Sequence, residues 1–192
     1  LMHWVNMMLN GDISLPDYQR SFVWHEKDIK RLLKSISNDQ FIQPVTIALY
    51  PDVQTQKSKN IILDGQQRLT SILLAYIGYM PDLSKFAKDD TLATGDDSAL
   101  EDDEASAKSI KWTFKEIFSR NQQVNSVSQI RARLAADEKY VPLTVEGFMN
   151  EGDRETNIVN YLKKKFLGFS YIVPDTSDIE EIQNGYTSLF RN

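Results

Sequence analysis

The sequence predicts an α+β fold, a small mixed sheet with packed helices and a separate helical lobe. Three observations predict it. Short apolar runs near 45–50, 61–64 and 169–173 read as strands, with a further one near 13–15. Segments 26–37 and 68–80 carry apolar residues at helical spacing. Further helical patterns fill 110–167.

Each element has its own signal in the chain. "GDISLPDYQRSFVW" (11–24) mixes Pro, aromatic and β-forming residues, and reads as an extended segment with a turn near Pro16. In "HEKDIKRLLKSIS", Ile29, Leu32, Leu33 and Ile36 have the i, i+3, i+4, i+7 spacing of an amphipathic helix. "FIQPVTIALY" alternates at Val45, Ile47 and Leu49, with Pro44 suited to a strand beginning or an edge. "PDVQTQKSKN" reads as a polar loop, and "IILD" as a short buried strand. The helix after it places Leu69, Ile72, Leu73, Tyr76, Ile77 and Met80 on one stripe, and Gly78 and Pro81 help to end it. Helical patterns then recur near 111–120, 127–137, 144–151 and 155–167, before "FSYIVP" as a returning strand. "DIEEIQNGYTSLFRN" begins a helix and meets Asn184-Gly185. The expected organisation is a core at 10–81, an acidic loop or insertion at 82–109, a helical lobe at 110–168, and the strand and helix start at 169–192. No closing Gly, Pro or polar tail precedes Asn192, which reads as a piece of a longer protein.

Composition narrows the chemistry. Of 192 residues, 41% are hydrophobic and 26% charged, as in soluble globular domains. No apolar run is long enough for a transmembrane helix, and "LMHWVNMMLNGDIS" lacks the layout of a signal peptide. Cysteine is absent, which fits a cytoplasmic protein and excludes disulfides, thiol nucleophiles and thiolate metal sites. His3 and His25 are the two imidazoles, too few for a zinc centre without other ligands. The net charge is −5, yet residues 82–109 alone carry nine acids against three lysines. The rest is close to neutral, so composition announces no broad nucleic-acid-binding face.

The chemistry concentrates at one junction. In "NIILDGQQRLTSILLAYI", Asp64, Gln66, Gln67 and Arg68 crowd around Gly65, where a strand passes into a helix. The first N–H groups of a helix lack intrahelical partners and carry partial positive charge. Gly permits a sharp turn and close ligand approach. Arg68 adds a planar fork of donors suited to phosphate, and Gln66 and Gln67 add neutral donors. Together they form a candidate phosphate cradle. The spacing is neither a Walker A loop nor a dinucleotide fingerprint. The plainer alternative is Asp64 as a helix cap, with Arg68 as its ion-pair partner. A second Gln-Arg pair, Gln19-Arg20, comes after Tyr18 and precedes Phe22 and Trp24. The two pairs could converge on one anion, with an aromatic stacking on a base or a guanidinium. For Phe22 and Trp24 the plainer reading is core anchoring, and Tyr18 is likewise open to stacking or anchoring.

In this order "LPDYQRSFVW", the helix with Ile29 and Leu33, "PVTIAL" and "ILDGQQRLTSILL" resemble the N-terminal domain of GmrSD-type modification-dependent restriction systems, in the ParB/sulfiredoxin superfamily. The likeness covers about residues 10–80, and "IEEIQNGYTSL", with Asn184 and Gly185, is loosely similar to a later family element. The resemblance implies a ParB/sulfiredoxin-like fold. Gly65-Gln66-Gln67-Arg68 matches the Gly-Glu-Arg-Arg of ParB, which holds nucleotide phosphates, and the Gly-Cys-His-Arg of sulfiredoxin. Here Gln66 stands at the reactive Cys position and Gln67 at the His position, so sulfiredoxin chemistry is excluded.

The implied function is a nucleotide-binding, NTP-hydrolysing regulatory domain of a phage-defence restriction protein acting on modified DNA. A nucleoside triphosphate with Mg²⁺ is the implied cofactor, and a nuclease domain or subunit outside this chain the implied partner. Asp64 is then the catalytic candidate. It could hold Mg²⁺, orient Arg68 or Arg20, or position a water for attack. Two alternatives stay open: a module that grips DNA backbone phosphate without hydrolysis, and a structural or partner-binding domain.

Overall fold

A computed structural model describes residues 1–15, 22–52, 57–85, 126–144 and 160–173, with positions 175, 178, 181–182 and 184–185. Helices α1 (Met2–Asn10), α2 (Glu26–Ser37), α3 (Gln66–Ile77) and α4 (Val127–Ala136) accompany six strands. These are β1 (Ile13–Ser14), β2 (Val45–Asp52), β3 (Lys57–Asp64), β4 (Tyr79–Pro81), β5 (Tyr140–Pro142) and β6 (Phe169–Ile172). The fold is α+β, as the sequence predicts.

The main sheet has four strands in the order β1-β3-β2-β6. β2 and β3 pair antiparallel, from Ala48 opposite Ile61 to Asp52 opposite Lys57. β1 lies parallel to β3, with Ile13 opposite Asn60, and β6 lies parallel to β2, with Val45 opposite Phe169. The sheet is therefore mixed. Period-two alternation decides its faces. Val45, Ile47 and Ile62 enter the main core with the helices, while Ala48, Ile61 and Leu63 form a second buried cluster with Ile182. Burial on both faces explains the unbroken "IIL" run.

The helix α2 buries Ile29, Leu32, Leu33 and Ile36, the stripe its spacing predicts. Its start is fixed by the His25 N–H donating to Asp28 Oδ2 at 3.1 Å. In α4 the capping box is complete. Gln129 N–H donates to Ser126 Oγ at 3.4 Å, and Gln129 Oε1 accepts from Ser126 N–H at 3.0 Å.

Four features differ from the sequence reading. The span 51–60 is not all loop, because Pro51–Asp52 and Lys57–Asn60 extend the hairpin strands. Ladder pairing there outweighs the low strand propensity of the residue types. Helix α3 stops at Ile77, and Met80 lies in β4 rather than on the helical stripe. Gly78, at φ 83°, closes α3 by donating to Leu74 O at 2.7 Å. The segment Met2–Asn10 is helical, with Val5 and Met8 in the core and a left-handed Gly11 as its end. Asn184 and Gly185 are helical rather than a helix stop. The patterns at 111–120 and 145–151, and the segment 86–109, lie outside the described residues.

The helix α3 is buried almost all round rather than on one stripe. Gln66, Gln67, Thr70 and Ser71 are buried with Leu69, Ile72, Leu73, Leu74 and Ile77. It touches α1, α2, α4, β2 and β4, so the helix is packed from several sides.

Candidate functional site: the β3–α3 junction

The register of β3 prepares the junction. Thr46 faces Asp64 but Ile47 faces Ile62, a bulge that leaves Leu63 between them. A bulge bends its strand and re-aims the residues beyond it. Two residues later Gly65 takes φ 90° and ψ 14°, the left-handed region, and α3 begins at Gln66. A Cβ at Gly65 would stand 2.7 Å from Val45 Cγ2, 3.0 Å from Arg68 Nη2 and 3.2 Å from Val45 Cα. Both the backbone conformation and the close approach of β2 therefore require glycine here. Gly65 is the residue that precedes the helix, so Asp64 is not the cap.

Among the described residues, no side chain caps this helix start. Leu69 N–H donates to Gly65 O at 3.0 Å, closing the first turn. The preceding amides of Gln66 and Arg68 have no intrahelical acceptor within reach.

Arg68 is held in place. Its Nη2 donates to Asp64 Oδ2 at 3.0 Å and to Pro44 O at 3.1 Å. The guanidinium keeps 17% side-chain exposure while Asp64 keeps 58%, so the pair sits at the surface with its cation side tucked in. Of the three roles open to Asp64 from the sequence, orienting Arg68 is the contact seen.

The two glutamines part company. Gln67 is 4% exposed, and its Oε1 accepts from Val23 N–H at 3.1 Å, a bond between residues distant in sequence. It turns toward the N-terminal segment instead of offering its amide to a ligand. Gln66 is 5% exposed, and its Oε1 has no hydrogen-bond partner among the described residues. Arg68 Nε, Thr70 Oγ1 and Ser71 Oγ are also buried without partners there. Such atoms cost free energy and are rare in native folds.

Tyr18, Gln19 and Arg20 lie outside the described residues. The topology bears on where their segment starts. β1 runs parallel to β3, so the chain leaves β1 at the edge of the sheet where β3 passes into α3. Phe22 is fully buried in the core, and Trp24 is partly buried against it, which is the anchoring role. Asn184 and Gly185 belong to the C-terminal helical stretch, and a Cβ at Gly185 would meet nothing within 4 Å.

Residue types alone missed two members of the site. The Pro44 carbonyl that receives Arg68 is a main-chain atom without sequence signature. Val45, whose side chain presses on Gly65, looks like any alternating strand residue. Among the described residues, no group of three or more His, Asp or Glu could hold a metal, and no helix is long and apolar enough to cross a membrane.

No solved structure matches the chain. A curated relative, uncharacterized protein MJ0686 of Methanocaldococcus jannaschii, is 34% identical over 94 residues. The match covers 39% of this chain and 16% of the relative, so the chain spans a small part of that protein's length. The family described as "GmrSD restriction endonuclease, N-terminal domain" matches residues 1–189, a span that takes in the whole of this fold with its Asp64–Arg68 junction, and the chain belongs to that family.

Proposed function

We propose that the β3–α3 junction binds the phosphates of a nucleoside triphosphate, and that the chain is the nucleotide-responsive domain of a restriction protein acting on modified DNA. The nuclease domain or subunit lies outside this chain. The carrying observation is unmet donor capacity at the start of α3, at Gln66 N–H, Arg68 N–H and Arg68 Nε. The first-turn amides of Gln66 and Arg68 have no intrahelical acceptor, and Arg68 Nε, a donor, is buried and unpartnered among the described residues. A helix N-terminus of this kind favours an anion, and Arg68 is already ordered by Asp64 and Pro44 O.

A Mg²⁺ ion arriving with phosphates needs only one or two carboxylates, because phosphate and water oxygens complete its shell. Asp64 is the exposed carboxylate at the junction and fits that role. The metal would neutralise phosphate charge there. Arg68 and the α3 amides orient the phosphates, and Asp64 holds Arg68 in register with them. The ParB/sulfiredoxin kinship and NTP hydrolysis are part of this proposal, with Gln19 and Arg20 as further phosphate ligands and Tyr18 as a stacking residue.

Isothermal titration with ATP and GTP, with and without Mg²⁺, tests the reading on wild type and on Arg68→Ala. Loss of one charge-assisted contact of about 1.5–3 kcal/mol weakens binding roughly ten- to a hundred-fold. Duplex DNA titrated in parallel at two salt concentrations covers the backbone-binding alternative. Binding of DNA with a steep salt slope and no heat from either nucleotide would replace the proposal with that alternative.

A further inference from the structure

We infer that Gly168 is a positioning residue for the junction: it sets the Pro44–Val45 peptide unit, and that unit sets the Arg68 guanidinium. The consequence for a ligand rests on the nucleotide reading above.

One peptide unit is gripped from both sides. Val45 N–H donates to Gly168 O at 2.9 Å, just before the β2–β6 ladder begins with Val45 opposite Phe169. Pro44 O belongs to the same planar unit and accepts from Arg68 Nη2 at 3.1 Å. A trans peptide points its N–H and its C=O in opposite directions. The unit therefore lies between the start of β6 and Arg68, and a tilt of its plane disturbs both bonds. Val45 adds a second contact with the junction, because its Cγ2 would stand 2.7 Å from a Cβ at Gly65. Arg68 has two anchors here. The Asp64 carboxylate is 58% exposed, and exposed ion pairs hold little. The main-chain oxygen of Pro44 is the firmer anchor, and it is the one that β6 controls.

The missing side chain at Gly168 is what leaves room for this arrangement. Gly168 lies outside the left-handed region, so its backbone does not require glycine. Among the described residues, the three atoms nearest a Cβ placed there all belong to Pro44, at 3.3, 3.5 and 3.9 Å. One side must then give by a few tenths of an ångström. The β6 side is pinned. Phe169 stacks on Trp4 with ring centroids 3.7 Å apart, and Lys165 Nζ donates to Ser37 O at 3.1 Å and to Asp39 Oδ1 at 2.7 Å. Pro44 therefore moves. Its ring is closed on its own main chain, so a push on the ring passes into the backbone. The carbonyl shifts, and the guanidinium that follows it is re-aimed.

Gly168→Ala and Gly168→Val form a graded pair. Alanine enters a backbone that accepts it, so the fold should persist even if the valine variant is lost. Ser170→Ala, also in β6, is the control. Two readouts are taken on the whole chain. The first needs no ligand: the Arg68 Nε–H cross-peak and the Pro44 carbonyl ¹³C shift by NMR. The second is the Kd for ATP and GTP with Mg²⁺ by titration calorimetry, measured in the wild-type and Arg68→Ala backgrounds.

Both NMR signals should move in Gly168→Ala, move further in Gly168→Val, and stay in place in Ser170→Ala. Gly168→Val should weaken nucleotide binding about tenfold, the equivalent of roughly one hydrogen bond. In the Arg68→Ala background the same change should alter Kd by less than about twofold, because its target is gone. A folded Gly168→Ala with both signals unmoved overturns the inference. So does an equal loss of affinity in the two backgrounds, since Gly168 then acts on the fold and not through Arg68. If wild type binds neither nucleotide, the nucleotide reading falls, and the Arg68 and Pro44 signals alone decide the positioning role.

Discussion

Gly65→Ala is the substitution that most directly tests the architecture of the junction. Two separate costs add. Alanine at φ 90° leaves its preferred backbone regions, which costs about 1–2 kcal/mol. The new Cβ would then stand 2.7 Å from Val45 Cγ2 and 3.2 Å from Val45 Cα. Val45 is fully buried in the middle of the sheet and cannot swing aside. Overpacking of that kind costs about 1–3 kcal/mol more. The expected total is about 2–5 kcal/mol. Gly11→Ala provides the control, because Gly11 has φ 76° and nothing within 4 Å of its would-be Cβ. It carries the backbone cost alone, about 1–2 kcal/mol. Urea unfolding monitored by circular dichroism, with linear extrapolation, measures both. The difference between the two variants isolates the contact with β2. Losses equal to within about 0.5 kcal/mol would refute the close approach of Val45 and Gly65.

Other expectations rest on single contacts. Leu33→Ala and Leu73→Ala remove fully buried side chains, and each should cost about 2–5 kcal/mol in the same assay. Lys30→Ala, which loses an exposed ion pair with Glu26, should stay within about 0.5 kcal/mol of wild type. Arg131 donates from Nε to Ile77 O at 2.7 Å and from Nη2 to Tyr76 O at 2.9 Å, closing the end of α3. Arg131→Met should cost about 2–4 kcal/mol, and Arg131→Lys should recover only part of it, lacking the fork. The Ser84 hydroxyl, helped by the Ser84 amide and Lys85 and opposed by burial, holds the Asp82 carboxyl below the usual carboxylate value. A depressed folded value stabilises above the unfolded carboxylate value and is lost as pH falls through the folded one. Ser84→Ala should therefore raise the Asp82 titration midpoint seen by NMR. The small stability gap between variant and wild type should close at acid pH.

How much of the fold is legible in the sequence depends on the range of the interaction that decides each element. The α2 helix is legible from Ile29, Leu32, Leu33 and Ile36 because amphipathic spacing is a local signal, and burial obeys that stripe. Val45 and Ile47 alternate for the same reason, and the apolar stretches of the sheet's strands lie where their residue types favour a strand. The polar start of β3 is not legible, since Lys57 and Asn60 are in a strand by virtue of the partners that β2 and β1 present. Nor is α1, whose helix is stabilised by docking Val5 and Met8 into a core assembled from distant segments. Tyr79–Pro81 becomes a strand once Tyr140–Pro142 pairs with it.

At the site the division is sharper. Residue chemistry by itself determined where the junction is, because glycine between a strand and a helix, flanked by Asp64 and Arg68, limits the local backbone to few solutions. Tertiary structure alone decided what each side chain does there. Gln66 and Gln67 are identical and adjacent, yet one amide oxygen meets Val23 N–H and the other meets no partner among the described residues. A helix turns about 100° per residue, so neighbours face different surroundings. What those surroundings hold, a main-chain donor from the N-terminal segment or an unfilled polar space, is set by elements that the local sequence does not contain.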